Sequence, residues 1–388
     1  MTEKKLTFDK KIDYGLVIPV ILLVTIGLVS IFISVGSDYP DRVYNTMFLQ
    51  MLWLFLGCLL AVVVMRFKLS FLWRITPWLY VLGLVLMVLP LFLYSPTLVA
   101  STGAKNWVSI GSVTLFQPSE FMKISYILAL ARLTLWGQNR WPDPSLKDNW
   151  KLLGLYALIS LPVFTLLALQ SDLGTALVFV AILVGLIFVS GISWKIIIPV
   201  ALAVIISIGG FLYLFTFDAG KEWLFNLGMD TYQMNRISAW LDPFSYAQNI
   251  AYQQTQALIS IGSGGLLGKG FNVLELAVPV RESDMIFTVI AEDFGFIGTA
   301  VVLSLYLFLI FRMLRVTIAS NNRFYTFICI GFIMMIVFHI FENIGANIGI
   351  LPLTGIPLPF ISQGGSSLIS NLIGVGLILS VTYNRQET

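Results

Sequence analysis

Residues 278–298 read V-P-V-R-E-S-D-M-I-F-T-V-I-A-E-D-F-G-F-I-G and pass from a polar loop into an apolar helix. Asp284 stands at the junction, and Glu292 and Asp293 follow deeper in the apolar run. Residues four apart on a helix lie above one another, so Asp284, Thr288 and Glu292 are predicted to share one face. Acids at membrane depth are costly to keep and are functional candidates. Asp284 is predicted to be the reactive acid, although a helix N-cap role stays open because Asp is favoured there.

The composition around this stretch decides the class of protein. Hydrophobic residues make up 58% of the 388 residues and charged residues 11%, whereas a soluble domain has about 25% charged residues. We therefore predict an all-α polytopic membrane protein, with residues 1–388 forming one integral membrane domain. A net charge of +3 gives no reason to expect nucleic acid as a partner. Cys58, Cys329 and His339 lie in apolar runs, which argues against a disulfide framework or a His-based zinc site.

Apolar runs long enough to cross a bilayer, which requires about 20 residues, recur along the chain. About ten transmembrane helices are predicted, at residues 15–35, 47–65, 72–93, 119–135, 152–169, 173–190, 194–215, 284–314, 324–350 and 362–381. The loop between helices 7 and 8, about residues 216–283, is far longer than the others and rich in aromatic residues. Loops of this length are usually functional or disordered, and this composition favours an ordered, functional one.

Basic residues predict the orientation, since Lys and Arg are enriched in cytoplasmic loops. If each run crosses once, the basic clusters fall on one side. They are Lys4, Lys5, Lys10 and Lys11, then Arg66, Lys68 and Arg74, then Arg132, Arg140, Lys147 and Lys151, then Lys195, then Arg312, Arg315 and Arg323, and finally Arg385. Both termini are thus predicted to be cytoplasmic and the 216–283 loop extracellular, in a multi-pass protein of the cytoplasmic membrane.

Polar residues near other runs mark further candidates. Trp107 lies in an outside segment, residues 95–118, that is predicted to lie at the membrane interface; an isolated Trp is also common there as a belt residue. Glu120 and Lys123 are three apart and can pair inside the membrane, either structurally or as the lining of a polar cavity, which we favour. Asp172 occupies a short outside turn.

A second polar group lies late in the chain. Glu342 shares its helix with His339, Asn343 and Asn347, and several polar groups on one side indicate a wet interior rather than packing alone. The following run L-P-L-T-G-I-P-L-P-F-I-S-Q-G-G-S-S, residues 351–367, indicates a stiff or sharply turned outside loop.

Residues 253–270, Q-Q-T-Q-A-L-I-S-I-G-S-G-G-L-L-G-K-G, invite a nucleotide-binding interpretation. The phosphate-loop pattern fails because Ser263 occupies its first glycine position and Gly270 follows Lys269. The glycines are interpreted as a flexible or tightly turned backbone suited to phosphate, or as simple loop turns.

Taken together, these motifs resemble the SEDS family (shape, elongation, division and sporulation), the RodA and FtsW group. The resemblance covers nearly the whole chain and is greatest to RodA of Gram-positive cocci. It rests on G-A-K-N-W-V, F-Q-P-S-E-F-M-K, Q-x-D-L-G-T, Y-Q-M-N-R-I-x-A-W-L-D-P, the glycine run, R-E-S-D-M-I-F-T-V-I-A-E-D-F-G-F-I-G and P-L-T-G-I-P-L-P-F-I-S-Q-G-G-S-S. Gln363 stands where the family more often has tyrosine or a small residue, and Ser171 replaces the usual proline before Asp172. Neither departure touches Asp284.

The resemblance implies a peptidoglycan glycosyltransferase that polymerises lipid II on the outer face of the membrane during cell elongation. It implies ten helices and a lateral groove for the lipid tail. By the same resemblance, Asp284 aligns with the essential acid of the family and Trp107 with a residue the family needs. The implied partner is a class B penicillin-binding protein, a transpeptidase anchored by one helix.

The acidic and basic residues of the sequence are of the types that this glycosyl transfer requires. Forming a β-1,4 link from an α-pyrophosphate donor inverts the anomeric carbon, and one carboxylate, predicted to be Asp284, can suffice as general base. The leaving undecaprenyl pyrophosphate needs neutralising cations or a divalent metal such as Mg²⁺ or Mn²⁺. The candidate cations are Arg236 first, then Lys105, Lys123 and Lys269.

Arg281 is predicted to hold Asp284 ionised by charge proximity or to contact phosphate. Glu120, Asp172, Glu292 and Glu342 are predicted to shape the polar cavity. Two other classes of function stay open. A flippase for a lipid-linked sugar would place its site near the midplane on broken helices, and a scaffold for wall enzymes would tolerate replacement of Asp284.

Overall fold

The computed structural model describes residues 12–111, 113–229 and 231–384, which form a helical bundle with one small hairpin. The helices are α1 (Tyr14–Asp38), α2 (Val43–Met65), α3 (Leu69–Val88), α4 (Pro96–Thr102), α5 (Pro118–Arg140), α6 (Leu146–Leu169), α7 (Leu173–Val189), α8 (Trp194–Leu214), α9 (Asp218–Asn226), α10 (Thr231–Leu241), α11 (Tyr252–Ser263), α12 (Ile286–Ala319), α13 (Arg323–Asn347) and α14 (Gly365–Tyr383). The strands β1 (Val108–Ile110) and β2 (Val113–Phe116) are antiparallel.

Each of the ten predicted transmembrane runs is a helix. Within the described residues, eight helices are long and apolar enough to cross a membrane, and these are α1, the 40–65 segment, the 69–91 segment, α6, α8, α12, α13 and α14. The other two differ for visible reasons: α5 carries charged residues such as Glu120 and Lys123, and α7 has only 17 residues. An all-α polytopic membrane protein is thereby confirmed. Lys4, Lys5, Lys10, Lys11 and Arg385, used for the predicted orientation, lie outside the described residues.

The centre of the bundle is formed by α13 and α14. Contacts join α13 to α5, α7 and α12, α14 to α2, α1 to α12, and α3 to α5. The approach of α13 to α14 requires Gly374, because a Cβ atom there would overlap the ring of Phe332. In contrast, α8 buries only Ile196 and exposes apolar side chains on the rest of its surface, as a lipid-facing helix does.

In the described part of the long loop, residues 216–229 and 231–283, the chain is ordered, as predicted, and contains α9, α10 and α11. Its glycine run packs tightly against α12 rather than forming flexible turns. A Cβ atom at Gly264 would lie 1.9 Å from the carbonyl oxygen of Ala291. Gly268 and Gly295 both have positive φ and face one another, and α12 is interrupted at Gly295. The glycines therefore let the loop backbone contact the helix backbone.

Candidate active site

Asp284 lies just ahead of α12 rather than inside it. The N-cap of α12 is Met285, so the N-cap interpretation of Asp284 is wrong, as is the shared helical face with Glu292. The reason is the chain path before the helix: Val280 has a positive φ, and the main-chain N–H of Met285 donates to its carbonyl. A turn therefore delays the start of the helix and leaves the carboxylate on a loop.

The main chain on either side of this acid is held by side chains from two other elements. The amides of Asn343 and Asn347 on α13 both donate to the carbonyl oxygen of Asp284, over 2.8 and 3.0 Å. The hydroxyl of Ser362 donates to the carbonyl of Ser283 over 2.6 Å. These bonds use main-chain acceptors, so they position the acid and leave its carboxylate available for chemistry.

The side chain of Asp284 is partly buried, and among the described residues its carboxylate accepts a hydrogen bond from the hydroxyl of Ser283, at 3.0 Å. Removal from water raises the pKa of Asp284; the Ser283 hydrogen bond and the positive charge of Arg236 oppose that rise. A carboxyl with a raised pKa is a better proton acceptor once ionised, which suits a general base.

The 351–363 segment forms the wall opposite this acid. A Cβ atom on Gly355, whose φ is +81°, would lie 3.4 Å from Oδ2 of Asp284. The neighbouring Thr354 hydroxyl donates to the carboxylate of Glu342 on α13. The guanidinium of Arg236 on α10 donates to the carbonyl of Leu353 over 2.8 Å. The structure thus brings together two predicted acids and the first predicted cation.

Arg236 interacts electrostatically with both Asp284 and Glu342. The role predicted for Arg281 is therefore corrected: the cation that acts on Asp284 is Arg236. Arg281 is fully buried, donates to the carbonyl of Leu276 and lies 3.7 Å from Glu292. Burial lowers the pKa of its guanidinium, and a side chain without exposed surface has no contact to offer a substrate phosphate.

Glu292 and Lys269 join the long loop to α12. The fully buried carboxylate of Glu292 accepts hydrogen bonds from the Ser260 hydroxyl at 2.7 Å, the Lys269 ammonium at 2.9 Å and the main-chain N–H of Glu275 at 3.1 Å. Lys269 also pairs with the Glu275 carboxylate at 2.7 Å. Next to Glu292, Asp293 accepts from the main-chain N–H of Asn272 at 2.8 Å. The structure thus places Lys269 between two acids.

Glu120 and Lys123 form the predicted buried pair, with Nζ 2.9 Å from the carboxylate. A third member, His339 on α13, completes the group: its Nε2 lies 3.1 Å from Nζ of Lys123, and its Nδ1 lies 2.6 Å from the carbonyl of Met335. Because a carbonyl only accepts, the proton belongs on Nδ1 and Nε2 accepts from the lysine. The sequence alone did not predict this partner, although His339 is the only histidine in the chain.

Asp172, Lys105 and Trp107 belong to another group. Asp172 caps α7 through the N–H of Thr175 at 3.0 Å and accepts from the Asn106 amide at 2.7 Å. Nζ of Lys105 lies 4.8 Å from the ring centre of Tyr94. Trp107 is partly buried and directly precedes β1. In the part of the chain that the structure describes, no hydrogen bond joins this group to Asp284.

Several residues of the site were not assigned from the sequence. Thr354 and Gly355 were quoted only as part of a turn-rich motif, and Ser283 and Ser362 were not singled out. The available signal was the T-G-I-P run, because a threonine beside a glycine in a rigid loop places a hydroxyl donor at a point of close approach.

Among the described residues there is no group of three or more His, Cys, Asp and Glu side chains that could hold a metal ion.

Comparison with known proteins places this chain in a family. The family model for cell cycle proteins of the FtsW, RodA and SpoVE type matches residues 14–387. The chain belongs to the FtsW/RodA/SpoVE family. A probable peptidoglycan glycosyltransferase FtsW of Thiomicrospira cyclica is 31% identical over 96% of this chain and 92% of the relative. Peptidoglycan glycosyltransferase MrdB of Escherichia coli K12 is 35% identical over 80% and 78%. Stage V sporulation protein E of Bacillus subtilis is 30% identical over 96% and 98%.

Solved structures of this family share the fold. A chain from a study of polymerization and crosslinking by a peptidoglycan synthase complex aligns with a TM-score of 0.78 and 30% identity, over 97% of this chain and 99% of that one. The rod shape-determining protein RodA of Thermus thermophilus aligns with a TM-score of 0.64 and 30% identity, over 96% and 97%. Both FtsW and MrdB relatives match, so the likeness assigns the FtsW/RodA/SpoVE family rather than one of its branches.

Proposed function

We propose that this protein is a peptidoglycan glycosyltransferase that polymerises lipid II into β-1,4 glycan strands, and that Asp284 is its general base. The observation that carries the proposal is the placement of Asp284: its main chain is fixed by Asn343 and Asn347, while its carboxylate lies partly open beside Arg236 and Gly355. The names of the FtsW and MrdB relatives support the same activity.

The reaction follows from one base and one leaving group. A carboxylate oxygen of Asp284 takes the proton of the acceptor sugar hydroxyl as its oxygen attacks the anomeric carbon of the donor. The C–O bond to the pyrophosphate breaks on the opposite side, so the α-linked donor gives a β-linked product. The bonding electrons leave with undecaprenyl pyrophosphate, and the proton remains on Asp284 until solvent removes it.

The leaving pyrophosphate gains negative charge, which a nearby cation would stabilise. Arg236 is the candidate for this role, because its charge acts on both Asp284 and Glu342. Mg²⁺ or Mn²⁺ would add charge neutralisation when bound. With no cluster of three or more His, Cys, Asp and Glu side chains in the described ranges, such an ion would take most of its ligands from phosphate and water.

The proposal includes a location and a partner. By the distribution of Lys and Arg, the end of the bundle that carries Asp284 faces outside, where the lipid II sugars would be exposed to it. A class B penicillin-binding protein is the proposed partner, since glycan strands need crosslinking and a structurally similar chain comes from a synthase complex that polymerises and crosslinks. A role in cell elongation is part of the proposal and rests on the resemblance of the sequence motifs to RodA.

The test is synthesis of glycan strands from purified lipid II, with the transpeptidase present, by the wild type and by Asp284→Asn. Asparagine keeps the shape of the side chain but does not accept the proton, so polymer should be lost. Asp218→Asn is the matched control, because the same change is made on a fully exposed side chain in the same long loop. Polymer synthesis by Asp284→Asn at the wild-type rate would exclude this role.

Transport of a lipid-linked sugar is the second candidate, and one observation favours it. Glu120, Lys123 and His339 form a charged group buried between α5 and α13, as buried polar residues of transporters do. In this structure Lys123 pairs with both Glu120 and His339, and Oε2 of Glu120 is left without a hydrogen bond among the described residues, so most of the polar capacity is used within the group and little is left for a cargo. Lipid II flipping in proteoliposomes that is lost in Lys123→Met and retained in Asp284→Asn would favour transport over polymerisation.

A further inference from the structure

A cavity of about 570 Å³ opens at the end of the bundle opposite Asp284. The helix α13 connects the two places, because Asn347 at its C-terminus contacts Asp284 and Arg323 at its N-terminus lines the cavity. At 1.5 Å per residue this helix is about 36 Å long, roughly the thickness of the hydrocarbon core. The cavity, here named the inner pocket, is therefore a site separate from the one proposed for polymerisation.

The ends of four helices meet at the inner pocket and supply polar groups. They contribute Gln138 from α5, Asn149 from α6, Ser190 at the end of α7 and Thr326 from α13. Asn149 is only 3% exposed, and its side-chain amide has no hydrogen-bond partner within the described ranges. Gln138 uses its amide N–H on the Ser190 carbonyl at 3.0 Å, which leaves its own oxygen open. A buried, unpaired amide facing a cavity indicates a place for a polar ligand.

The charge around the inner pocket favours an anion. Arg323 is exposed, has no side-chain partner in the part of the chain described, and stands at the first position of α13, where the helix dipole is positive. One acid, Asp148, also lines the cavity, but it already accepts from Ser145 and from Lys151. The cation of Arg323 is thus left for a ligand.

An apolar wall lies beside these polar groups. Trp141, Pro142 and Pro144 line the cavity together with Phe327 and Ile330 on the same face of α13. The Trp141 ring packs edge-on against Trp136 at 5.4 Å, and Trp side chains are enriched where a membrane meets water. The volume exceeds that of an inorganic phosphate, and the wall suits a ligand whose charged head carries an apolar tail.

We propose that the inner pocket binds the headgroup of an anionic phospholipid, with its phosphate on Arg323 and its polar head on Asn149. Basic pockets between transmembrane helices on the cytoplasmic side are suited to phospholipid headgroups. The lipid comes from the cytoplasmic leaflet in the orientation given under Proposed function, on which this part of the inference rests. Lipid bound in the inner pocket would contact α13. The same helix carries Asn343 and Asn347, which donate hydrogen bonds to the main chain of Asp284.

The test is a titration of the purified full-length chain in detergent with dioleoyl phosphatidylglycerol, followed by native mass spectrometry. Arg323→Gln should weaken binding about fivefold, since one charge near a membrane surface is worth about that factor. Asn149→Leu should weaken binding by about the same factor, because it removes a hydrogen bond worth about 1 kcal/mol. Lys147→Gln is the matched control, because it removes a basic side chain from the first turn of α6 that does not line the cavity, and it should retain wild-type binding. Dioleoyl phosphatidylcholine should bind more weakly than the anionic lipid.

A second measurement does not depend on the variants folding. A photoreactive phosphatidylglycerol should label the wild type within residues 137–152 or 323–330. The proposal would be overturned if the label appeared only elsewhere in the chain, or if the wild type and both variants bound the lipid equally. It would also be overturned if inorganic phosphate protected these residues from labelling as well as the lipid does. No lipid II is present in either experiment, so failure here leaves the role of Asp284 untouched, and failure of Asp284 as a base leaves this test valid.

Discussion

The side-chain amide of Asn343 donates to the carbonyl oxygen of Asp284 over 2.8 Å, and it also donates to the carbonyl of Ile356 over 2.8 Å. One amide on α13 thereby connects the residue before α12 with the loop before α14. The acceptors are main-chain atoms, so this connection is independent of the protonation of Asp284. It explains how an acid outside any helix keeps a defined position.

Asn343→Leu should therefore reduce the rate of glycan synthesis strongly and the free energy of unfolding only moderately. A misplacement of about 1 Å at a reacting group can lower the rate about 100-fold. The loss of one donor to two carbonyls should lower the free energy of unfolding by about 1–3 kcal/mol. The measurements are the rate of glycan synthesis and the Tm of the purified protein. Asn249→Leu, on an exposed loop residue, is the control, and a rate loss no larger than that of the control would show that Asn343 does not position the acid.

The pH dependence should report Asp284. Burial raises its pKa, the Ser283 hydrogen bond and the charge of Arg236 lower it, and the charge of Glu282 raises it. A base acts only when ionised, so kcat/KM should fall as the pH drops through a pKa above the ordinary value of about 3.9. Arg236→Gln should move this fall to higher pH and Glu282→Gln to lower pH. Shifts in the same direction for both variants would contradict this assignment.

The same pKa makes a prediction about stability. With a pKa raised by folding, Asp284 binds its proton more tightly in the native state, so its contribution to stability is present below the unfolded pKa and is lost as the pH rises through the folded pKa. At neutral pH, Asp284→Asn removes a partly buried charge and should have a Tm no lower than the wild type. A clearly lower Tm would mean that the ionised acid stabilises the fold.

Gly355→Ala tests whether the space beside Asp284 must stay open. The new Cβ atom would lie 3.4 Å from Oδ2 of Asp284, and the φ of +81° would add strain of about 1 kcal/mol. Gly228→Ala is the matched control, since its φ of +94° gives the same kind of strain with no neighbouring atom within 4 Å. Glycan synthesis should fall in Gly355→Ala only, whereas equal losses in both variants would attribute the effect to backbone strain.

Lys269→Met should loosen the long loop from α12. The fully buried Glu292 carboxylate would lose its closest cation, and breaking a buried pair costs on the order of 3 kcal/mol. We expect a lower Tm and faster proteolysis between residues 264 and 283. Adding Glu292→Gln should restore part of the loss, because it removes the carboxylate that Lys269 no longer pairs; the recovery should be incomplete, since buried Arg281 then loses the acid 3.7 Å away. Lys221→Met, which breaks an exposed 3.9 Å pair in the same loop, should have little effect; equal losses in the two lysine variants would argue against the Lys269–Glu292 pair as the contact that holds the loop on α12.

Local pattern was enough to predict much of this protein. Ten apolar runs became ten helices, and the Glu120–Lys123 pair formed as expected, because helical spacing alone brings residues three apart together. The partner His339 lies on α13, which depends on how that helix packs against α5 and not on sequence distance.

The sequence by itself determined the class of protein, the positions of its helices and the choice of Asp284 as the acid to examine, since hydrophobicity and helical period are local properties. Only the tertiary structure decided where that acid points and which groups act on it. Arg281, three residues away, faces Glu292, whereas Arg236, nearly fifty residues away, acts on Asp284. The physical reason is that charges interact through space, and the turn at Val280 directs neighbouring side chains to different surroundings.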